Sequence, residues 1–220
     1  RKKHVLCEKP LEVTLERCDA MIEACRKNRV MLGGIFQNRS GGASQLIKSA
    51  LDKGRFGKLT VCSAIVPWWR TQAYYDSGGW RGTWGLDGGG ALMNQSIHQV
   101  DLLQWFAGPI AQLSSYAACL AHKRIEVEDA AVAAMRFKSG ALGMVLGSTA
   151  MYPGDAAEIH VSGDKGTARW RAGHLAAWQF EKEEAEDAEK RVKFGPPSDD
   201  KGKSGASDPR AISFVGRCGG

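Results

Sequence analysis

Apolar positions along the first part of the chain fall into two alternating kinds of run. Residues 4–7 (His-Val-Leu-Cys) and 30–36 (Val-Met-Leu-Gly-Gly-Ile-Phe) are short and continuous, the pattern of strands buried in a sheet. Between them Leu15, Cys18, Met21, Ile22 and Cys25 recur at helical spacing, and Thr14 stands where an N-cap belongs. A second amphipathic helix is expected after Gly41-Gly42, through Leu46, Ile47, Ala50 and Leu51, stopped by Gly54. Strand–helix–strand–helix is the grammar of an α/β domain.

The pattern then changes. Residues 60–66 read as a strand, and 67–90 as an irregular stretch rich in Trp, Tyr and Gly. A loop of that length is usually functional when it is ordered. A strongly apolar helix is expected over 91–106, ended by Gly108-Pro109. Strands follow at 110–120, 130–137, 141–149, 156–161 and 167–170, with hairpin-type turns at Lys138-Ser139-Gly140 and Asp164-Lys165-Gly166. The succession predicts an antiparallel meander with one long helix laid on a face. Residues 181–208 are polar and rich in charge, Gly, Ser and Pro, and read as a long loop or disordered tail. The chain opens directly on a buried strand and closes on Ile212-Ser213-Phe214-Val215 with little after it, so both ends read as truncations.

Composition narrows the classes. The net charge of +6 comes from basic residues scattered along the chain, which argues for solubility and against a nucleic-acid surface. No apolar run approaches the ~20 residues a membrane span needs, and no secretory pattern opens the chain, so a cytoplasmic protein is expected. None of the six cysteines forms a C-x-x-C pair or a Cys/His cluster of zinc-ligand spacing, so no metal is expected and a reducing compartment fits.

Three stretches could carry chemistry. Glu8-Lys9-Pro10 ends a strand, the edge where ligands sit in open α/β sheets; Lys9 would project an ammonium into the crevice, or else lie solvated on a surface turn. Gly88-Gly89-Gly90 before a helix would let a ligand approach the backbone, and Asn94, His98 and Asp101 fall on one face of that helix. A hydrogen-bonded core histidine would account for His98 equally well. In the third stretch, Trp68-Trp69-Arg70 … Tyr74-Tyr75 … Trp80-Arg81 … Trp84, aromatics beside Arg suit stacking on sugars and pairing with phosphates, or burying the loop against its own domain.

Together these segments resemble the glucose–fructose oxidoreductase / inositol dehydrogenase (Gfo/Idh/MocA) family. Residues 4–10 look like that family's strand ending in Glu-Lys-Pro, and Phe36-Gln37-Asn38-Arg39, with Gly54 and Gly57, like its crossing into the second domain. The stretch from Gly88 to Asp101 is similar to its Gly-Gly-x-x-x-Asp-x-x-x-His-x-x-Asp signature, and Glu128-Asp129 and residues 163–166 also match in order. The resemblance covers residues 1–180 and implies an α/β (α+β) fold. Residues 1–38 would be the C-terminal remnant of a Rossmann-type NAD(P)-binding domain. Residues 39–180 would form a substrate and oligomerisation domain with a mostly antiparallel sheet and a long helix on it, and 181–220 a polar loop or truncated tail.

The resemblance also implies a function: hydride transfer between NAD or NADP and a hydroxyl carbon of a sugar, cyclitol or nucleotide-sugar, by a homo-oligomer associated through its sheet face. By match, Lys9 and His98 are catalytic; Glu8, Lys9, Pro10, Trp80 and Arg81 meet the cofactor; Arg39, Asn94 and His98 meet the substrate. A histidine near pKa ~6.5 can hold the hydroxyl proton while a lysine ammonium stabilises developing alkoxide. Two departures stand out. Asn94 occupies a position where many members have Asp and cannot take a proton, so it is read as a binder. No G-x-G-x-x-G turn is present, so the fragment alone is expected to bind dinucleotide poorly and to be inactive. A same-family glycosidase or lyase with transient oxidation, or a non-catalytic sheet module, remain alternatives.

Overall fold

A computed structural model describes residues 2–197. Strands β1 (Val5–Cys7) and β2 (Leu32–Gly34) pair in parallel, Val5 opposite Leu32, with helix α1 (Leu15–Lys27) between them. Thr14 caps α1, its side chain accepting from the Arg17 N–H at 3.3 Å. The inner face of α1 begins at Cys18, because Leu15 in the first turn is exposed. β2 is buried throughout, but Val5 and Leu6 are each 42% exposed, so the buried strand expected at residues 4–7 is corrected to one half of a two-stranded pair.

A 3-10 turn (Gln37–Ser40) leads into helix α2 (Gly42–Asp52) and then strand β3 (Leu59–Pro67). The long irregular stretch contains one short helix, α3 (Gln72–Asp76). The helix expected over 91–106 is two pieces: a π turn (Ala91–Gln95), in which Ser96 N–H reaches back to the Ala91 carbonyl, and helix α4 (Ile97–Ala107). Strands β4 (Ile110–Ala118), β5 (Ala130–Phe137), β6 (Leu142–Ser148), β7 (Glu158–Gly163), β8 (Gly166–Arg171) and β9 (His174–Phe180) complete a seven-stranded sheet.

The strand order β4-β5-β6-β3-β7-β8-β9 corrects the expected single meander. Two antiparallel meanders, β4–β6 and β7–β9, are joined edge to edge by β3, which runs parallel to β6 and antiparallel to β7. Strand order is non-local, so turn signals between neighbours cannot reveal an early strand inserted in the middle. β9 escaped the pattern because its hairpin turns on Ala172 (φ 48°) and Gly173 (φ 93°), and alanine is not a residue that marks such turns.

Helices α2 and α4 lie on one sheet face, where Ile47, Leu102, Leu103 and Phe106 meet Cys62, Ala64, Val66, Ile159 and Val161 in the core. The opposite face is uncovered and apolar, with Val61, Val132, Leu142 and Met144 all exposed.

The polar segment after residue 180 is a further correction as far as residue 197: it contains helix α5 (Asp187–Phe194), packed on β9. The rest of the predicted tail lies outside the described residues. α5 is held by a charge. Asp187 is fully buried and accepts from both Arg55 Nη atoms (2.9 and 2.7 Å), from Trp178 Nε1 (2.7 Å) and from Glu184 N–H (2.7 Å). The Arg55 guanidinium holds its carboxyl well below the usual carboxylate range.

Candidate functional site

Four segments converge: the end of β1 with Lys9, the 3-10 turn after β2 with Gln37 and Arg39, the turn before the π segment with Asp87, and the π turn and α4 with Asn94, His98 and Asp101. Lys9 Nζ donates to the Asn94 carbonyl at 2.8 Å. Burial lowers the Lys9 pKa, while the carboxylates of Glu8 and Asp87 oppose that shift.

His98 packs its ring edge-on to Phe36 (centroids 6.1 Å apart), and its Nε2 lies 3.3 Å from the Gln37 amide nitrogen. Amide nitrogens only donate, so in this orientation Nε2 accepts and the ring proton sits on Nδ1. Nδ1 is buried and has no partner among the described residues. Burial, and next the charge of Lys9, lower the His98 pKa to about 4. The expectation of a histidine near ~6.5 is corrected accordingly, and at neutral pH the ring is uncharged.

His122 provides the contrast. Its Nδ1 meets Asp129 Oδ2 and its Nε2 meets the Arg70 carbonyl, each at 2.8 Å, so both ring nitrogens are engaged. His122 is therefore the satisfied core histidine, and His98 is not.

Asn94 diverges from the face shared by His98 and Asp101, because the π turn ends between them at Ser96. Its amide nitrogen donates to Asp87 Oδ1, and its Oδ1 accepts from Gln95 Nε2 at 2.9 Å. Gln95 also donates to the Tyr74 hydroxyl (2.8 Å) and accepts from Arg70 Nε (3.0 Å), and Arg81 Nη1 donates to the same hydroxyl at 2.8 Å. The predicted Arg81 thus joins the predicted Asn94 through Tyr74, from the same aromatic stretch, and Gln95. Trp80 lies beneath the Arg81 guanidinium, 4.4 Å from ring centroid to Cζ, and is partly exposed.

The other predicted residues are placed differently. Arg39 forms a bidentate ion pair with Asp101 (2.7 and 2.6 Å) and lies over Trp105, so its guanidinium holds the 3-10 turn against α4. Glu8 is exposed and accepts weakly from the Lys9 N–H at 3.3 Å, and Pro10 beside it is half-buried.

The glycine turn is also filled. Glu128 accepts from the Gly90 and Leu92 N–H groups (3.0 Å each), and a Cβ on Gly90 would stand 1.8 Å from the Glu128 carbonyl oxygen. Gly90 therefore makes room for Glu128 at this helix start, while Gly88 and Gly89 lie against Val13 and Met93. The turn is packed by the chain itself, correcting the expectation that it opens to a ligand.

Sequence reasoning assigned no site role to Asp87 or Gln95, marked Gln37 and Glu128 only as motif residues, and marked Tyr74 only within the aromatic stretch. Asp87 reads locally as an ordinary turn residue before glycine, yet it is only 6% exposed and accepts from Gly82 N–H at 2.9 Å. Among the described residues, no cluster of three His, Cys, Asp or Glu could hold a metal ion.

Comparison with known proteins is consistent along the chain. Residues 44–169 match the GFO/IDH/MocA C-terminal domain, and residues 1–36 match the NAD-binding Rossmann fold of the oxidoreductase family. The chain is 32% identical over 173 residues to a myo-inositol 2-dehydrogenase from Thermotoga maritima, covering 75% of this chain and 48% of that protein. It is 30% identical over 147 residues to a 1,5-anhydro-D-fructose reductase from Ensifer adhaerens, covering 64% and 41%. The WlbA dehydrogenase from Bordetella pertussis, solved with NADH and UDP-GlcNAcA, superposes with a TM-score of 0.82 at 39% identity, covering 87% of this chain and 56% of that one. The chain spans about half the length of the curated relatives it matches.

Proposed function

The chain belongs to the GFO/IDH/MocA family of oxidoreductases, and on that premise we propose that it is part of an enzyme moving a hydride between NAD(P) and a hydroxyl-bearing carbon of a sugar, cyclitol or nucleotide-sugar. The observation that carries the reading is the pairing of a half-buried Lys9 ammonium with an uncharged His98 whose buried Nδ1 has no partner among the described residues. A buried polar atom without a partner costs stability, so a site that keeps one suits an incoming hydrogen-bonding group.

Nicotinamide, when bound, supplies the hydride acceptor or donor. Glu8, Lys9 and Pro10 at the end of β1, with Trp80 and Arg81, would hold that end of the cofactor. His98 is uncharged at neutral pH, and its Nε2, the ring nitrogen without a proton, would take the hydroxyl proton once a substrate hydroxyl displaces the Gln37 amide. Phe36 holds the ring edge-on, and Nδ1–H is left to donate. Lys9, anchored on the Asn94 carbonyl, brings positive charge to the oxygen that loses that proton. Asn94 orients substrate hydroxyls.

The solved Bordetella relative carries UDP-GlcNAcA, which favours a nucleotide-sugar bearing a carboxylate here. Association through the uncovered apolar face of the sheet would bury Val61, Val132, Leu142 and Met144 in a homo-oligomer. No helix among the described residues is long and apolar enough to cross a membrane, and the described cysteines are all free, which suits a cytoplasmic enzyme.

The test is nicotinamide reduction by the full-length protein across UDP-sugar acids, free sugars and inositols. Steady NAD(P)H formation with one class supports the proposal. Turnover of substrate without net NAD(P)H would point instead to elimination or hydrolysis with transient oxidation.

A further inference from the structure

We propose that Asp87 is a positioning residue for Lys9, supplying from the turn before the glycines the carboxylate that the helix lacks at Asn94. The proposal rests on the reading of Lys9 as the active-site lysine, but its first test does not. Asp87 is buried, and among the described residues its oxygens accept only from neutral donors, the Gly82 N–H and the Asn94 amide. Among the described residues no ion-pair partner touches it. Burying a carboxylate without an ion-pair partner is costly, so a nearby cation that it serves explains its retention.

That cation is Lys9. The Lys9 ammonium feels the carboxylates of Glu8 on its own segment and Asp87 from the turn, and its own charge acts on the uncharged His98 of α4. Glu8 is exposed and screened by solvent, whereas Asp87 acts from inside the fold, where its field is less attenuated. The geometry couples them a second time. Asn94 is held by its amide nitrogen on Asp87 and by its amide oxygen on Gln95, and it presents its backbone carbonyl to Lys9 Nζ. With both ends of its side chain fixed, residue 94 keeps that carbonyl aimed at the ammonium.

The hydrogen-bond inventory supplies a clean test. In Asp87→Asn the new amide would meet the Asn94 amide donor to donor, and the charge would be gone. In the exchanged pair, Asp87→Asn with Asn94→Asp, an asparagine oxygen can still accept from Gly82 N–H. Its nitrogen donates to one carboxylate oxygen at 94, and Gln95 donates to the other, so every bond is kept and only the charge moves.

Competitive acylation of Lys9, read by mass spectrometry on the full chain without cofactor, reports its ammonium directly. For Asp87→Asn the midpoint of the acylation profile moves to lower pH and labelling at neutral pH rises. The exchanged pair returns the profile toward wild type. In the full-length protein, turnover falls ~10–100-fold in the single variant and recovers in the pair. A folded Asp87→Asn with an unchanged Lys9 profile, or an exchanged pair that fails to restore it, overturns the proposal. If the profile shifts as expected but Lys9 variants keep full activity, the coupling stands and the enzymatic reading of Lys9 fails.

Discussion

Lys9 Nζ and the Asn94 carbonyl are joined at 2.8 Å across 85 residues of chain, so the end of β1 and the π turn share one anchoring contact. The same ammonium lowers the pKa of His98 through its charge. Replacing Lys9 by Met should therefore raise the His98 titration midpoint above about 4, since one of its two depressing causes is gone. Imidazole proton or carbon NMR follows this directly. In the full-length protein, Lys9→Met and His98→Ala should each lower turnover by ~10²-fold or more. Variants near full activity would remove both residues from the mechanism.

Acid stability carries the signature of His98. Its folded pKa lies below the ordinary 6.5, so the unfolded chain takes up a proton that the fold does not. Stability should be complete above that ordinary value and fall as pH drops from about 6.5 to about 4. His98→Gln should flatten the slope of unfolding free energy in this window, measured by urea titration at several pH values. An equal slope in variant and wild type would mean that His98 is charged in the fold.

α5 depends on one carboxylate. Asp187→Ala would leave the Arg55 guanidinium and the Trp178 N–H without their buried acceptor. Removing one partner of a buried pair costs ~3–5 kcal/mol. Denaturant midpoints should drop accordingly, and amide protection of β9 should fall first. The carboxyl is held low in the fold, so its contribution is present above the ordinary carboxylate range and is lost as pH falls from there toward the lower folded value.

Gly90→Ala tests the packing of the glycine turn. Its new methyl group would stand 1.8 Å from the Glu128 oxygen, forcing the turn off its seat at a cost of ~1–3 kcal/mol. The displacement should reach Asn94, because Asn94 N–H bonds back to the Gly90 carbonyl. Loss of stability together with altered Lys9 acylation is the expected result; a stable variant with a wild-type profile would argue that the turn tolerates bulk.

Local elements were legible where local physics sets them. Thr14 and α1, Gly54 after α2, and β5 at residues 130–137 follow from capping, turn chemistry and alternation. What stayed hidden was set at a distance. β3 was read as a strand, but its place in mid-sheet is set by distant partners, and α5, held by a buried aspartate, leaves no apolar period to read. In the site, Lys9, Asn94 and His98 were visible because a strand end and a glycine-marked helix flag them. Asp87 was not, since a carboxylate beside glycine looks like a solvated turn until three dimensions bury it. The π turn separated Asn94 from the face that helical spacing assigned to it.

The central place of β3 bears on how the chain acquires its structure. Both of its neighbours, β6 and β7, come later in the chain, beyond β4 and β5. A nascent or refolding chain therefore carries β3 with two unsatisfied edges until the second half has collapsed around it. Loop-closure entropy opposes such non-local pairing, so sheet closure should be a late and slow event. Until it occurs, β3 offers both edges to other chains, and refolding yield should fall as protein concentration rises.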